Sequence, residues 1–209
     1  MHRRLDADAR RGQLVQVGVD LLRSTPFDQI TPDAVARIAG VSKGLVFHYF
    51  PTKRDLQVAV LRAATAELLA RLDPDPEMPV PERLREGLDA FVALIEQQPA
   101  NYRAVSRSAG SDPRLLAVFE DTRAAVVGII AGALGVAEPP AGLRIAIRGW
   151  IAMVEESVLV WLEGTPVPRE RLVDFLQKAA LTMLADAMAL GGAAETAAPS
   201  SVEASDSRP

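Results

Sequence analysis

Five residues that lie close together in the chain have side chains that could contact nucleic acid: Lys43, Gly44, Leu45, Phe47 and His48. On a helix, residues four apart fall on the same side, so most of these five would share one face. A Lys can donate to guanine acceptors, apolar groups can meet thymine methyls, and a Gly permits close approach. This face therefore predicts a helix that reads base edges in a DNA major groove. The alternative is a small capping helix in an all-α core.

The residues around this face indicate two short helices separated by a tight turn. Thr31 and Ser42 are good N-caps, and Gly40 can adopt the left-handed conformation that ends a helix. Thr52 and Asp55 form a capping-box pattern that opens a third helix. Together they predict a helix-turn-helix unit, whose second helix enters the major groove. The positions expected to face inward are Val35, Ile38, Val41, Val46 and Phe50.

This segment resembles the tetracycline-repressor (TetR) family of bacterial regulators. The family pattern is matched at Ala39, Gly40, Val41, Ser42, Gly44, Tyr49, Phe50, Lys53 and Leu56. One departure is Phe47, which replaces the usual Tyr, whose hydroxyl would bond a phosphate. The matching motif covers about the first quarter of the chain, and the remainder resembles the family only in its helical architecture.

The resemblance implies a function and a set of contacts. A member of this family is expected to be a homodimeric transcriptional repressor that binds a palindromic double-stranded DNA operator. A small apolar or amphipathic effector would release it. The base-edge contacts are expected from Lys43, Gly44, Leu45 and His48, with Phe47 on the same face. The phosphate contacts are expected from Thr31, Ser42, Tyr49 and Lys53.

Charge is divided unevenly along the chain. The formal net charge is −4, which by itself argues against a nucleic-acid partner. Residues 1–62, however, carry 10 Lys and Arg against 6 Asp and Glu, whereas residues 63–209 carry 13 against 21. A basic N-terminal part on an acidic body is typical of a protein that touches phosphate at one end.

The helical patterns and breaks predict an all-α fold of about nine helices in two domains. Residues 1–62 are expected to form the helix-turn-helix DNA-binding domain, and residues 63–190 a helical ligand-binding and dimerisation domain. Four prolines between residues 73 and 81 mark a stiff loop near the junction. Residues 191–209 are small and polar, so we expect a disordered tail.

The body has a candidate pocket for the effector. Trp150 and Trp161 are 11 residues apart, so they fall near one helical face, which we expect to point at the preceding helices. Glu155 and Glu156 are expected on the opposite side, solvated, with a counter-charge for a cationic ligand as the alternative. A filled core would use the same residue types as a pocket. The candidate ligand residues are Phe91, Ile95, Tyr102, Val105, Ser106, Phe119, Val126, Trp150, Met153, Val154 and Ser157.

The last two predicted helices, residues 143–163 and 169–190, form a candidate dimer interface. The apolar stripe of the last helix is wider than one domain face needs, with Ala180 near its centre. Two antiparallel helices that pair with their copies give a four-helix bundle and a two-fold dimer.

Several classes of site and of protein are not expected. Without Cys and with only two His, neither a disulfide nor a transition-metal site is indicated, and no P-loop or dinucleotide Gly motif occurs. No cofactor and no enzymatic activity are expected, and no apolar leader or membrane span is found, which fits a cytoplasmic protein. Two alternatives stay open: a helical ligand-binding or scaffold protein without DNA binding, and a small all-α enzyme.

Overall fold

Every regular element in the described part of the chain is a helix. The computed structural model describes residues 7–72, 75, 77–110 and 112–195. A single turn of 3₁₀ helix, Phe27–Gln29, separates the first two α-helices. The α-helices are α1 (Ala7–Leu22), α2 (Pro32–Ala39), α3 (Lys43–Tyr49), α4 (Lys53–Leu72), α5 (Val80–Gln97), α6 (Pro99–Ala109), α7 (Pro113–Ala133), α8 (Ala141–Trp161) and α9 (Arg169–Glu195).

The helix-turn-helix forms from local hydrogen bonds that the sequence predicted. The hydroxyl of Thr31 accepts from the N–H of Ala34 at 3.2 Å, and Ser42 caps α3 in the same way. Gly40 ends α2 with a φ of 66°, in the left-handed region. Thr52 and Asp55 exchange side-chain and backbone hydrogen bonds at the start of α4. The predicted caps and the turn are therefore confirmed.

The inward face of α2 differs from the prediction at one position. Val35 and Ala36 are buried, whereas Ile38 is 54% exposed, so the expectation that Ile38 packs inward is wrong. The buried arc of α2 is centred between Val35 and Ala36, and a helix turns about 100° per residue. Ile38 therefore lies on the flank of α2 and faces water.

Two apolar clusters fill the molecule. The first joins α1 to α4 around Leu14, Ile30 and Phe50, and residues from α6 and α7 also pack into it. The second joins α5, α7, α8 and α9 around Ile95, Ile147, Trp150 and Leu176. Helix α4 packs against α1 as well as against α5 and α7, so it touches both parts of the molecule.

The last helix is longer than predicted. It continues to Glu195, five residues into the segment 191–209 that the sequence analysis assigned to a disordered tail. The rest of that segment, residues 196–209, lies outside the described residues. Among the helices of the described part, none combines the length and the apolar character that a membrane span requires.

Candidate nucleic-acid interface and ligand cavity

The predicted reading residues share the outer side of α3. Val46 and Phe50 are buried beneath it. Leu45 and Tyr49 are half-buried at its edges, and Thr31 lies half-buried at the start of α2. The exposed members of the predicted set are Ser42, Lys43, Gly44, Phe47, His48 and Lys53. This placement leaves a continuous outer surface on which Lys, aromatic and small residues adjoin.

Lys43 is engaged within the free protein. Its ammonium group lies 2.9 Å from the carboxylate of Asp33, in the first turn of α2, and 5.7 Å from the centre of the Phe47 ring. Both charged side chains are exposed, and such surface pairs contribute between zero and about 1 kcal/mol. The ammonium group can therefore leave Asp33 for a stronger acceptor. Asp33 was not among the residues predicted from the sequence, although it lies ten residues before Lys43, at the start of the helix that precedes α3.

A cavity of about 120 Å³ lies among α4, α5, α7, α8 and α9. Its wall is apolar over most of its area. Leu68 and Leu72, from the end of α4, form the side nearest the DNA-binding helices. The other main wall residues are Val80, Leu84, Gly87, Leu88, Phe91, Val126, Ile129, Ile130, Ala133, Trp150, Ile151, Val154 and Leu184.

Four of the predicted ligand residues line this cavity: Phe91, Val126, Trp150 and Val154. Ile95 is fully buried in the second cluster, and Tyr102 and Met153 pack against that cluster. Ser157 is half-buried on α8 outside the cavity wall.

Three other predicted ligand residues lie apart from the wall because of how α6 and α7 are turned. Val105 and Phe119 belong to the first cluster, beneath the DNA-binding helices. Ser106 is hydrogen-bonded to Tyr102. The apolar faces of α6 and of the first half of α7 are therefore used to hold the two parts of the molecule together.

Two charged residues of the cavity wall, Arg123 and Glu155, belong to a longer chain of charged groups. The guanidinium group of Arg123 lies 2.7 Å from Glu155 and 3.0 Å from Glu120. Arg148 lies 2.6 Å from the other oxygen of Glu120. The hydroxyl of Tyr102 is hydrogen-bonded to Glu155; burial, together with the nearby carboxylate, raises the pKa of this hydroxyl, so Tyr102 stays protonated.

The position of Glu155 corrects an expectation from the sequence. Glu155 was expected opposite the Trp face and in water, but it lines the cavity together with Trp150. On α8 the wall residues are Trp150, Ile151, Val154 and Glu155. Successive members are one, three and one residues apart, so they share a single broad face of the helix. Glu156, the other member of the pair, is exposed as expected.

Asn101 connects the body to the DNA-binding helices, a role that the sequence did not indicate. Its side chain is buried. The amide oxygen accepts from the N–H of Phe27 at 3.1 Å, and the amide nitrogen donates to the carbonyls of Leu22 and Thr25 at 3.1 and 2.8 Å. An Asn from α6 thus closes the end of α1, next to Tyr102, which contacts the cavity network.

Ion pairs add to this connection between α4 and α7. Arg54 lies 2.8 Å from Asp112, which caps α7, and Arg114 lies 3.1 Å from Asp55, which caps α4. Each carboxylate therefore serves its own helix and an Arg of the other. The hydrogen bond from the N–H of Arg114, with Arg54 and Arg114 nearby, lowers the pKa of Asp112, and Thr52 lowers that of Asp55.

The outer face of α8 and α9 is apolar and exposed in the single chain. Ile145 on α8 is 74% exposed and Phe175 on α9 is 58% exposed. A surface groove beside Phe175 is lined by Ala146, Ala179 and Met183, and also by the polar residues Lys178, Thr182 and Asp186. Ala180, in contrast, is only 1% exposed because it packs inside the protomer, so it does not lie on this face.

Comparison with known proteins identifies two family domains. Residues 14–60 match the model for bacterial regulatory proteins of the tetR family, and residues 80–183 match the tetracyclin repressor-like C-terminal domain. These two matches cover the helix-turn-helix and most of the body.

Similar proteins extend over nearly the whole chain. The transcriptional activator FasR of Mycolicibacterium smegmatis is 27% identical over 183 residues, which is 82% of this chain and 81% of the relative. An uncharacterised HTH-type regulator, Rv0472c of Mycobacterium tuberculosis, is 25% identical over 197 residues, 89% of this chain and 82% of the relative. The crystal structure of a regulator from Streptomyces coelicolor, 29% identical, superposes with a TM-score of 0.71 and covers 91% of this chain and 85% of that chain. The helix-turn-helix, the helical body and these matches together show that the chain belongs to the TetR family of DNA-binding transcriptional regulators.

Proposed function

We propose that this regulator is a homodimeric repressor of a palindromic operator and that a small apolar or amphipathic molecule releases it from DNA. The observation that carries the proposal is the course of α4. This helix begins with Lys53 beside the reading face and ends with Leu68 and Leu72 in the cavity wall. One rigid element therefore has one end at each proposed site.

At the DNA end, α3 is proposed to enter the major groove. Lys43, Gly44, Leu45 and His48 would meet base edges, and Phe47 would meet apolar base atoms. The groups proposed to meet phosphates are Thr31, Ser42, Tyr49 and Lys53. The hydroxyls of Thr31 and Ser42 also cap their helices, so these residues would hold a phosphate and the helix end together.

At the body end, the cavity is proposed as the effector site, in a ligand-binding and dimerisation domain of residues 63–190 that follows a DNA-binding domain of residues 1–62. Because Leu68 and Leu72 form part of its wall, a molecule that fills the cavity would press on the end of α4. The effector changes operator affinity only by the ratio of its affinities for the two arrangements.

The dimer is proposed to form through the outer faces of α8 and α9. Ile145 and Phe175 would be covered by the same residues of a second copy, in a two-fold four-helix bundle. Two copies of α3 would then reach successive major grooves, roughly 34–36 Å apart. Because its proposed DNA target lies in the cytoplasm, the regulator is proposed to act there.

A second candidate function is a helical ligand-binding protein without DNA binding. Two observations favour it: Phe47 lacks a hydroxyl for a phosphate, and Lys43 is already paired with Asp33. Members of the family are transcriptional regulators, not enzymes, so we do not propose catalysis. The relative FasR is named an activator, so the sign of regulation also needs a direct test.

The test selects an operator from a pool of random duplexes with the full-length protein and then measures affinity over a range of salt concentrations. We expect a palindrome bound by two protomers, with an affinity that falls steeply as salt rises, because phosphate contacts release counterions. If no sequence is selected and binding to the duplexes does not depend on salt, only the ligand-binding candidate remains.

The sign of regulation follows from a reporter gene placed behind the selected operator in a bacterial host. Expression of the chain should lower reporter output if it represses. A rise in output would assign it as an activator, and the double variant Lys43→Ala with Lys53→Ala serves as the control that cannot read the operator.

A further inference from the structure

The cavity has polar groups on its wall, and each of them already has a partner within the protein. The polar members of the wall are Arg83, Thr122, Arg123 and Glu155. Thr122 donates to the carbonyl of Val118 at 2.7 Å, and Arg83, where α5 begins, also has an interaction partner. Among the described residues, no buried side-chain nitrogen or oxygen lacks a hydrogen-bond partner. An effector therefore finds, on the described wall, no fully buried polar group that lacks a partner.

Four charged groups at and behind the wall balance one another. Arg148, Glu120, Arg123 and Glu155 follow each other in one continuous chain of ion pairs, two cations alternating with two anions. Tyr102 ends the chain as a neutral donor to Glu155. The chain thus presents no net charge to the cavity beside Trp150.

This balance acts against charged effectors of either sign. A carboxylate that entered would find Arg123 already held by Glu120 and Glu155, and both carboxylates would repel it. An ammonium ion would find Glu155 already held by Arg123. In both cases an effector charge beside this chain loses its hydration without gaining a partner there, and an unpaired charge in an apolar site costs several kcal/mol.

The volume sets the size of the part of the effector that lies inside the wall, because the cavity is partly open to the surface. The cavity measures about 120 Å³. For comparison, an apolar cavity of roughly 150 Å³ holds one benzene molecule. A molecule with a single ring or a short aliphatic chain therefore suits the cavity as it stands.

We infer that the cavity selects an uncharged, apolar effector of about the size of one ring or a short chain, and discriminates against carboxylates and ammonium ions through the closed ion-pair chain of Arg148, Glu120, Arg123 and Glu155. This inference rests on the proposed role of the cavity as the effector site. It goes further by assigning the charge and size of the effector.

The experiment compares three probes with the same eight-carbon chain: 1-octanol, octanoate and octylammonium, at neutral pH, with the full-length protein. The chain has two Trp, so Trp161→Phe leaves Trp150, in the cavity wall, as the single fluorophore. We expect 1-octanol to change Trp150 emission and to bind at least about tenfold more tightly than either ion, a difference of about 1.4 kcal/mol.

Two variants then change the charge of the cavity wall, one by removing an anion and the other by removing a cation. Glu155→Gln keeps the shape and leaves Arg123 with one carboxylate, so octanoate should gain relative to 1-octanol. Arg123→Gln leaves Glu155 without its cation, so octylammonium should gain. Glu156→Gln is the matched control, because the same charge is removed from the exposed neighbour and the order of the probes should not change.

The location is checked with Val126→Trp in the otherwise wild-type protein. The new side chain should fill the cavity and abolish 1-octanol binding, measured by calorimetry. Ala124→Trp, on the exposed side of α7, should bind 1-octanol as the wild-type protein does.

The outcomes separate the charge inference from the proposed function. Wild-type protein that binds octanoate or octylammonium as tightly as 1-octanol overturns the uncharged class while the cavity remains an effector site. Binding of none of the three probes, or 1-octanol binding that survives Val126→Trp, overturns the inference together with the proposed cavity. Operator binding, measured separately, is unaffected by either result.

Discussion

At the scale of single residues, the free protein already occupies side chains that DNA would have to take over. Lys43 rests on Asp33 and on the ring of Phe47, and the hydroxyls of Thr31 and Ser42 are used as helix caps. The ion pair between Lys43 and Asp33 is exposed and contributes little. Exchange of Asp33 for a guanine acceptor as the partner of Lys43 is therefore favourable. The pair holds the Lys43 side chain close to the face that it is proposed to use.

Lys43 and Lys53 should contribute differently to DNA binding, Lys43 to sequence preference and Lys53 to affinity for any duplex. Lys43→Ala should cost about 1–3 kcal/mol of operator affinity and relax preference at one base position. Lys53→Ala should weaken binding to all duplexes and reduce the salt slope by about one. Fluorescence anisotropy on matched and mismatched operators measures both. Arg71→Ala, exposed at the far end of α4, is the control. Wild-type behaviour of Lys43→Ala and Lys53→Ala would mean that α3 does not contact DNA.

The buried side-chain amide of Asn101 should contribute as much to the free energy of unfolding as an apolar core residue. Asn101→Ala removes three hydrogen bonds and leaves the N–H of Phe27 without its acceptor. Leaving a buried polar group unpaired costs about 1–3 kcal/mol, and urea unfolding should show that loss. Ala104→Ser, on the exposed side of the same helix, should unfold like wild type. Equal stability of Asn101→Ala would mean that water replaces the amide at this junction.

At the scale of elements, α4 is shared between the two parts of the molecule, and the ends of α4 and α7 brace each other. The caps Asp55 and Asp112 each contact an Arg from the opposite helix. Movement of α7 by a molecule in the cavity would therefore reach the reading helices by two routes, along α4 and through these caps. The arrangement of helices, more than any single contact, supports coupling between the sites.

These caps predict a pH dependence with a definite sign. Their hydrogen bonds and Arg neighbours lower the pKa of Asp112 and Asp55 below the usual value of 3.8 in the folded protein. A lowered pKa stabilises the fold at pH values above the unfolded-state pKa, and the contribution is lost as pH falls through the folded value. Thermal unfolding between about pH 5 and pH 3 should therefore show a fall in midpoint that is smaller in Asp112→Asn. An identical fall in both proteins would place the sensitive carboxylates elsewhere.

At the scale of the whole molecule, each of the last two helices carries a large exposed apolar side chain that a second copy could cover. Ile145 and Phe175 face outward there, whereas Ala180 faces the protomer's own core. The proposed interface is the outer face of α8 and α9, and both helices also contribute to the cavity wall. A dimer built on this face would hold the two DNA-binding parts at a spacing that depends on how these helices pack.

Substitutions on this face should separate the dimer from the fold. Phe175→Arg places a cation on the proposed two-fold interface, where an unpaired buried charge costs several kcal/mol, so sedimentation should show a folded monomer and operator affinity should collapse. Ala180→Arg should instead unfold the protomer. Leu116→Arg, exposed on α7, should remain a dimer. A Phe175→Arg dimer of wild-type stability would place the interface on another face.

What the sequence determined by itself is local. The caps of α2, α3 and α4 and the turn at Gly40 each depend on groups within four residues of one another, so their chemistry can be read directly from the chain. The helix-turn-helix and the family followed from them. The existence of the body helices was also predictable, because their apolar periods and Pro breaks are local signals.

What only the tertiary structure decided is how each helix is rotated about its axis. Val105 faces the DNA-binding helices, Glu155 faces the cavity, and Ala180 faces the protomer's own core. Those rotations depend on partners far away in the chain: Asn101 bonds a residue 74 positions earlier, and Arg123 pairs with one 32 positions later. Pocket walls, cores and interfaces use the same apolar side chains, so periodicity locates a face but not its neighbour. The free energy that selects the neighbour belongs to contacts that form only when the helices pack.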